Sequence, residues 1–214
     1  MRELGDLDEA SACFQGSVDI RRRIGDRYGE ASALDNLGST FGLLSRHEDA
    51  AACRLRAIGI QHDIGDRTGE AGSWNNLSRS YVGLGRLKDA FEALGRALSI
   101  QEDAEDTYGL GQTYASYGEA HLAAGNAAEA AENLRRSLEL TRRRDDQVGA
   151  AWALTLLGDA VDLGGERAAA RRHWQEALDI YTRAGDSRAK ALRVRLASPI
   201  TPLKVRQQAH STLS

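Results

Sequence analysis

The side chains able to do acid–base, nucleophilic or metal chemistry are few, and their spacing argues against each such use. Five histidines, His47, His62, His121, His173 and His210, stand alone. None has a second histidine or cysteine at i+3 or i+4, the spacing that sets two metal ligands on one helical face. His173 follows Arg171 and Arg172, a setting for a solvated polar side chain. Cys13 and Cys53 are the only thiols and lie 40 residues apart. Equivalent sites in adjacent helical units are about 10 Å apart, beyond the roughly 7 Å Cα separation a disulfide allows. Two buried, reduced thiols are expected. Gly109-Leu110-Gly111 resembles the start of a dinucleotide loop, but no strand precedes it and no third glycine follows at the needed spacing. Asn76-Leu77-Ser78 is a glycosylation sequon without a secretory leader before it. Carboxylate pairs such as Asp145-Asp146 stand where an aspartate can cap a helix. No catalytic set, metal site or cofactor motif emerges, and the chain reads as a non-enzyme.

The elements carrying these residues follow one period. Gly25-Asp26, Gly65-Asp66, Glu105-Asp106, Asp145-Asp146 and Gly185-Asp186 recur every 40 residues. Gly29, Gly69, Gly109 and Gly149 keep the same step, as do Ala10, Ala50, Ala90, Ala130 and Ala170. Ile20, Ile60, Ile100, Leu140 and Ile180 complete the register without an insertion. Leu34, Leu37, Phe41 and Leu44 step by 3, 4 and 3, which places them on one helical face. Trp74, Leu77, Tyr81 and Leu84 repeat that stripe, followed by Tyr114 and Tyr117, then Leu154 and Leu157. A second helix per unit carries Ala50, Cys53, Ala57, Ile58 and Ile60. Small residues at Gly38, Ser78, Gly118 and Gly158 let the two helices approach closely. Each unit is thus a hairpin of two helices of about 17 residues, each roughly 25 Å long. One hairpin cannot bury its own apolar stripe, so neighbours must stack.

The punctuation agrees. Gly85, Gly125 and Gly164-Gly165 suit the left-handed position that ends a helix, and Gly25 can end one helix while Asp26 caps the next. Breaks are expected near Gly25, Ser45, Gly65, Gly85, Gly125, Gly165 and Gly185. Glu105 and Asp145 lack the glycine, so distorted or continuous helix is expected there. Pro199 and Pro202 are the only prolines, and the last acid is Asp186. Residues 199–214 therefore read as a flexible basic tail, a solvated terminus and not a nucleic-acid contact.

Bulk properties exclude further classes. The formal net charge of −3 gives no nucleic-acid signature, although residues 1–107 carry 13 bases and 19 acids against 15 and 12 in residues 108–214. No run of about 20 apolar residues exists to span a membrane. The N-terminus has acids and glycine where a leader needs an apolar stretch, so a cytoplasmic location is the expectation.

Leu34, Leu37, Gly38, Phe41, Ala50 and Ala57, with Phe14, Leu94, Leu134 and Trp174 at the large-apolar site of the second helix, match the tetratricopeptide repeat. Arg54 departs from that site. The chain resembles this family over roughly residues 4–196. Its 40-residue unit and links such as Gly65-Asp66-Arg67-Thr68-Gly69-Glu70-Ala71 are similar to the arrays of actinobacterial antibiotic-regulatory and NB-ARC–TPR regulators, of Pins/LGN scaffolds and of kinesin light chain. The resemblance implies an all-α solenoid of stacked antiparallel hairpins in a right-handed superhelix, with a concave groove lined by first helices. The units are a half repeat 1–26, full repeats 27–66, 67–106, 107–146 and 147–186, and a partial helix 187–198. The opening helix, Leu7 to Arg23, lacks a first-helix partner, so its face Ala10, Phe14 and Val18 would lie open unless something covers that end.

On a first helix, a residue two before a core residue points about 160° away from it. That selects Ser32, Asp35 and Ser39, then Gly72, Asn75 and Arg79, then Gln112, Ala115 and Glu119, then Trp152, Thr155 and Asp159 for the groove. Asn36 and Asn76 flank the face, and in similar arrays asparagine there holds a partner's backbone. A chaperone-tail carboxylate clamp is not expected, because Asp35 and Ser39 stand where its basic residues belong. Trp152 is the expected anchor, with Glu119, Asp159 and Asp162 set to attract a partner's basic side chain. The expected partner is a protein or peptide, with Asn36, Asn75, Asn76, Arg79, Glu119, Trp152, Asp159 and Asp162 as contacts. Homodimerisation through the exposed terminal helix and small-molecule sensing between hairpins are the alternatives.

Overall fold

The computed structural model describes residues 2–197, with side chains from Leu7 onward. The expected tail, 199–214, lies outside the described residues. The described chain forms α1 (Arg2–Ile24), α2 (Arg27–Leu43), α3 (His47–Ile64), α4 (Arg67–Gly83), α5 (Leu87–Asp103), α6 (Thr107–Ala123), α7 (Ala127–Arg143), α8 (Gln147–Leu163), α9 (Arg167–Arg183) and α10 (Arg188–Ala197). No strand occurs among the described residues. The even helices from α2 to α8 are the first helices of hairpins completed by α3, α5, α7 and α9.

A left-handed residue punctuates the chain every 20 residues: Gly25, Ser45, Gly65, Gly85, Glu105, Gly125, Asp145, Gly165 and Gly185 all have positive φ. After each, a backbone N–H reaches five residues back to close the last turn, as from Asp66 to Gln61 O at 2.9 Å and from Asp106 to Gln101 O at 2.9 Å. The expectation at Glu105 and Asp145 is corrected here. The helix neither continues nor loses the junction; both residues adopt the left-handed conformation, at φ 51° and 55°. The strain this imposes on an L-residue, about 1–2 kcal/mol, is outweighed by the closing hydrogen bonds and by the cap that follows. Asp106 and Asp146 accept hydrogen bonds from the N–H of Gly109 at 3.0 Å and Gly149 at 2.8 Å, as Asp26 and Asp66 do from Gly29 and Gly69.

Within hairpins the small residues are needed for close approach. A Cβ on Gly158 would fall 2.3 Å from Trp174 Nε1, and one on Gly118 would fall 2.5 Å from Leu134 Cγ. Among the described residues three apolar clusters stand out. One apolar cluster runs from Ala130 through Leu154, Leu157 and Trp174 to Leu192, a second joins Val18, Leu34, Leu37, Cys53 and Ile60, and a small third joins Ala51, Ile58 and Leu77. Two expectations at the N-terminal end change as a result. Val18 is fully buried and Phe14 half-buried against the second cluster, so that edge of α1 already packs on α2. The open face of α1 is instead the one carrying Cys13, which is exposed, not buried; its counterpart Cys53 is buried against α2. Likewise Ile20 is 52% exposed, whereas Ile60 is 7%.

The left-handed junctions generate a stability prediction. Gly65→Ala forces a Cβ into φ 71° and should cost about 1–2 kcal/mol, while Glu105→Gly relieves the same strain and should raise the melting temperature. Thermal unfolding followed by circular dichroism checks both; a Glu105→Gly protein that melts lower would contradict the strain assignment.

Candidate functional site: the first-helix face

Among the described residues, α4, α6 and α8 touch one another side by side, whereas α5, α7 and α9 do not. The first helices are therefore closer together and line the inside of the array's curve. The inner face is built from the 40-residue series predicted for it, but much of that series is consumed in joining one hairpin to the next.

The first joint is polar. Asp35 on α2 accepts hydrogen bonds from Ser73 Oγ of α4 at 2.5 Å and from Gln61 Nε2 of α3 at 3.3 Å. Burial pushes its carboxyl pKa up, while those two donors and the nearby Arg54 pull the other way. Arg54, only 6% exposed, fills the site that is Leu94, Leu134 or Trp174 in the later units. Gly38 and Gly42 leave room for it, and it donates to Ser80 Oγ of α4. Burial lowers its pKa to about 10. The second joint has Asn75, Gln101 and Thr113 at the equivalent places, all buried. Asn75, expected as a partner contact, is 7% exposed here. By the third joint the series has become Ala115, Thr141 and Ala153, and both alanines are fully buried.

The remaining site residues are distributed as follows. Asn36 is exposed beside a recess shared with Phe14, Arg21 and Tyr28, and Asn76 is half-buried. Neither amide makes a side-chain hydrogen bond among the described residues. Arg79 of α4, Glu119 of α6 and Trp152 of α8 come together. Arg79 Nε lies 3.3 Å from Glu119 Oε2, and its guanidinium carbon is 5.5 Å from the centre of the Trp152 ring. An internal cation thus holds both the carboxylate and the ring expected to receive a partner's base. Asp159 and Asp162 are also paired. Asp159 accepts from Trp174 Nε1 at 2.9 Å and from Arg195 of α10; Asp162 pairs with Arg167 at 2.5 Å. Burial raises the pKa of both Glu119 and Asp159, against the lowering pull of Arg79 and Arg195 respectively.

Between α6 and α8 the face dips into a recess of about 250 Å³. Trp152, Tyr108 and Val148 give it apolar walls; Gln112, Thr141 and Arg144 give it polar ones. Tyr108 carries the Arg144 guanidinium 5.1 Å from its ring centre. Gly111 and Gly149 also line it; a Cβ on Gly149 would fall 2.2 Å from the capping Asp146 carboxylate. The inter-hairpin polar joints were not foreseen as a set, although Arg54 breaking a series of large apolar residues was the signal for them. No group of three potential metal ligands occurs among the described residues, and none of their helices is long and apolar enough to cross a membrane.

The protein is an α-solenoid of stacked helical hairpins. The tetratricopeptide repeat model matches residues 1–61, 69–143 and 109–183, so the chain belongs to the tetratricopeptide repeat family. Solved structures share the fold. Nearly identical TPR-like repeats from a Podosopora anserina protein described as a kinesin light chain align with a TM-score of 0.63 at 17% identity, covering 85% of this chain and 89% of that one. BtubC (BKLC) from P. vanneervenii aligns at 0.65 and 16% identity, covering 100% of this chain and 82% of its own. MamA aligns at 0.56 and 18%, covering 86% and 94%. No curated protein matches the sequence.

The Arg79–Glu119 pair generates a pH prediction. A carboxyl whose folded pKa is raised above its unfolded value of 4.5 stabilises the fold most below that value, and the contribution is lost as pH rises through the folded pKa. Arg79→Met removes the cation that limits this loss. The variant should be less stable than the parent at pH 7, and the gap should narrow as pH falls toward 4. Denaturant midpoints across that range check it; a gap that widens at low pH would contradict it.

Proposed function

We propose that the chain is a binding module for a protein or peptide, seated along the inner first-helix face and working within a larger regulator or scaffold. The observation that carries this reading is the recess beside Trp152. It is the size of one or two side chains, it is lined by residues of α6, α7 and α8, and it combines an indole and a phenol ring with hydrogen-bonding groups. Such a mixture is characteristic of interface hot spots. The free amides of Asn36 and Asn76 have one acceptor and two donors each, which suits a peptide backbone. The Arg79 seat over Trp152 supports the further reading that a partner offers a basic side chain. That side chain would take over the contacts Arg79 makes to the ring and to Glu119. The arrays of NB-ARC–TPR regulators and Pins/LGN scaffolds, which the 40-residue unit resembles, are the setting this reading favours.

The test is kinetic. A peptide selected from a random displayed library against the whole chain is titrated by surface plasmon resonance against three variants. Trp152→Ala should speed dissociation about 30-fold, the equivalent of about 2 kcal/mol, with an unchanged helical spectrum. Asn76→Ala should weaken binding by a smaller factor, and Glu132→Ala on the outward face of α7 should leave it unchanged. Binding that survives Trp152→Ala but is lost in Glu132→Ala would place the partner on the opposite side.

A further inference from the structure

Three departures from the 40-residue period meet in the recess among α6, α7 and α8. The first makes space. Gln101 and Gln61 stand one and two periods before Thr141, and each lies close to a glycine in the first turn of the next helix. A Cβ on Gly69 would fall 2.9 Å from Gln61 Nε2, and one on Gly109 2.6 Å from Gln101 Nε2. Thr141 is shorter and turns its hydroxyl back on the carbonyls of Ser137 and Leu138, at 3.0 Å each. The atoms nearest a Cβ on Gly149 are those of Asp146. The second departure puts a donor in the lining. Ala57, Ala97 and Ala177 are fully buried; the same position is Ser137, 1% exposed, whose hydroxyl makes no hydrogen bond among the described residues. The third adds an exposed charge. Ile24, Ile64, Ala104 and Ala184 are the counterparts of Arg144.

The charges lining the recess are not balanced. Arg188 holds both oxygens of Asp186, at 2.6 and 2.9 Å, and Asp146 is committed to the Gly149 N–H at 2.8 Å. Arg144 has no such answer: it lies over the Tyr108 ring, donates to Thr107 Oγ1 at 3.3 Å and makes no ion pair among the described residues. Its planar fork of N–H groups matches the two oxygens of a carboxylate. An unpaired guanidinium and a buried hydroxyl beside an indole and a phenol ring are the complement of an anion carried on an apolar stem. Arg79 and Glu119 do not line this recess, so it is distinct from the place where a basic side chain would meet Trp152.

We propose that the recess receives an aspartate or glutamate side chain of the partner segment, its carboxylate paired with Arg144 and accepting a hydrogen bond from Ser137, with a neighbouring apolar residue against Trp152. The proposal rests on the reading of this chain as a peptide-binding module and names the chemistry of one partner residue. It also gives the partner a direction. Its base lies toward α4 and α6, where Arg79 and Glu119 stand, and its acid toward the α7–α8 link that carries Arg144.

A double-mutant cycle between chain and peptide tests this. Peptides selected from the random displayed library against the whole chain should share an acidic residue next to an apolar one. One such peptide is titrated in two forms, with its acid intact and with the acid exchanged for the matching amide. On the unaltered chain the amide form should bind about tenfold more weakly, the size of a lost charge-assisted hydrogen bond. Arg144→Met should weaken the acid form by a similar factor and no longer distinguish acid from amide. Ser137→Ala should weaken the acid form by a smaller factor, and both variants should keep the helical spectrum. Selected peptides that share no acid would overturn the proposal. So would an Arg144→Met chain that weakens both forms equally, since the arginine would then act only on the fold. In either case, binding still lost in Trp152→Ala leaves the peptide-binding reading standing. Binding indifferent to Trp152→Ala, or a chain that selects no peptide, removes both.

Discussion

Everything in this structure depends on a helix being stopped every 20 residues by a residue in the left-handed conformation. That stop reverses the chain, sets the register in which the apolar stripes meet and places an aspartate to cap each first helix. No hairpin could bury Leu34 and Leu37 or Leu154 and Leu157 by itself, so the stop fixes which neighbour does it. The constraint is strong enough that Ser45, Glu105 and Asp145 adopt the same conformation that glycine adopts at the other six junctions. One residue more or fewer between stops would rotate the next stripe by about 100° out of the core.

The joints between hairpins change character along the chain. Asp35, Gln61 and Ser73 make a hydrogen-bonded joint, with the charge of Arg54 close by; Ala115 and Ala153 make an apolar one. Apolar contact is non-directional, whereas a buried polar set is satisfied in one arrangement only. The C-terminal hairpins accordingly share one continuous apolar cluster from Ala130 to Leu192, while the N-terminal ones are divided into two. The inner face lies across this gradient. The Trp152 ring sits on the apolar half, and the arginine over it, Arg79, reaches from the polar half.

How much of this was legible depended on whether a position was governed by period or by neighbour. The helices, the stops at glycine and the close approach at Gly118 and Gly158 follow from spacing alone, because they repeat. The burial of Asn75 was not legible, because a 160° rotation away from the core takes no account of the neighbouring first helix packed on α4. Cys13 was misread for the opposite reason: its counterpart Cys53 is buried by α2, and none of the described helices takes that place against α1. Glu105 and Asp145 were misread because local propensity disfavours left-handed backbone, and tertiary packing overrides it. The pairing of Glu119, Asp159 and Asp162 with Arg79, Arg195 and Arg167 could not be seen in one dimension, since Arg79 and Arg195 come from other hairpins.

The inner-face account is tested most directly by hydrogen exchange of the whole chain with and without a saturating selected peptide. Slower exchange in the amides of α4, α6 and α8, with α5, α7 and α9 unchanged, is the result it predicts. Slowing confined to the second helices would contradict it, because those helices lie on the outside of the curve.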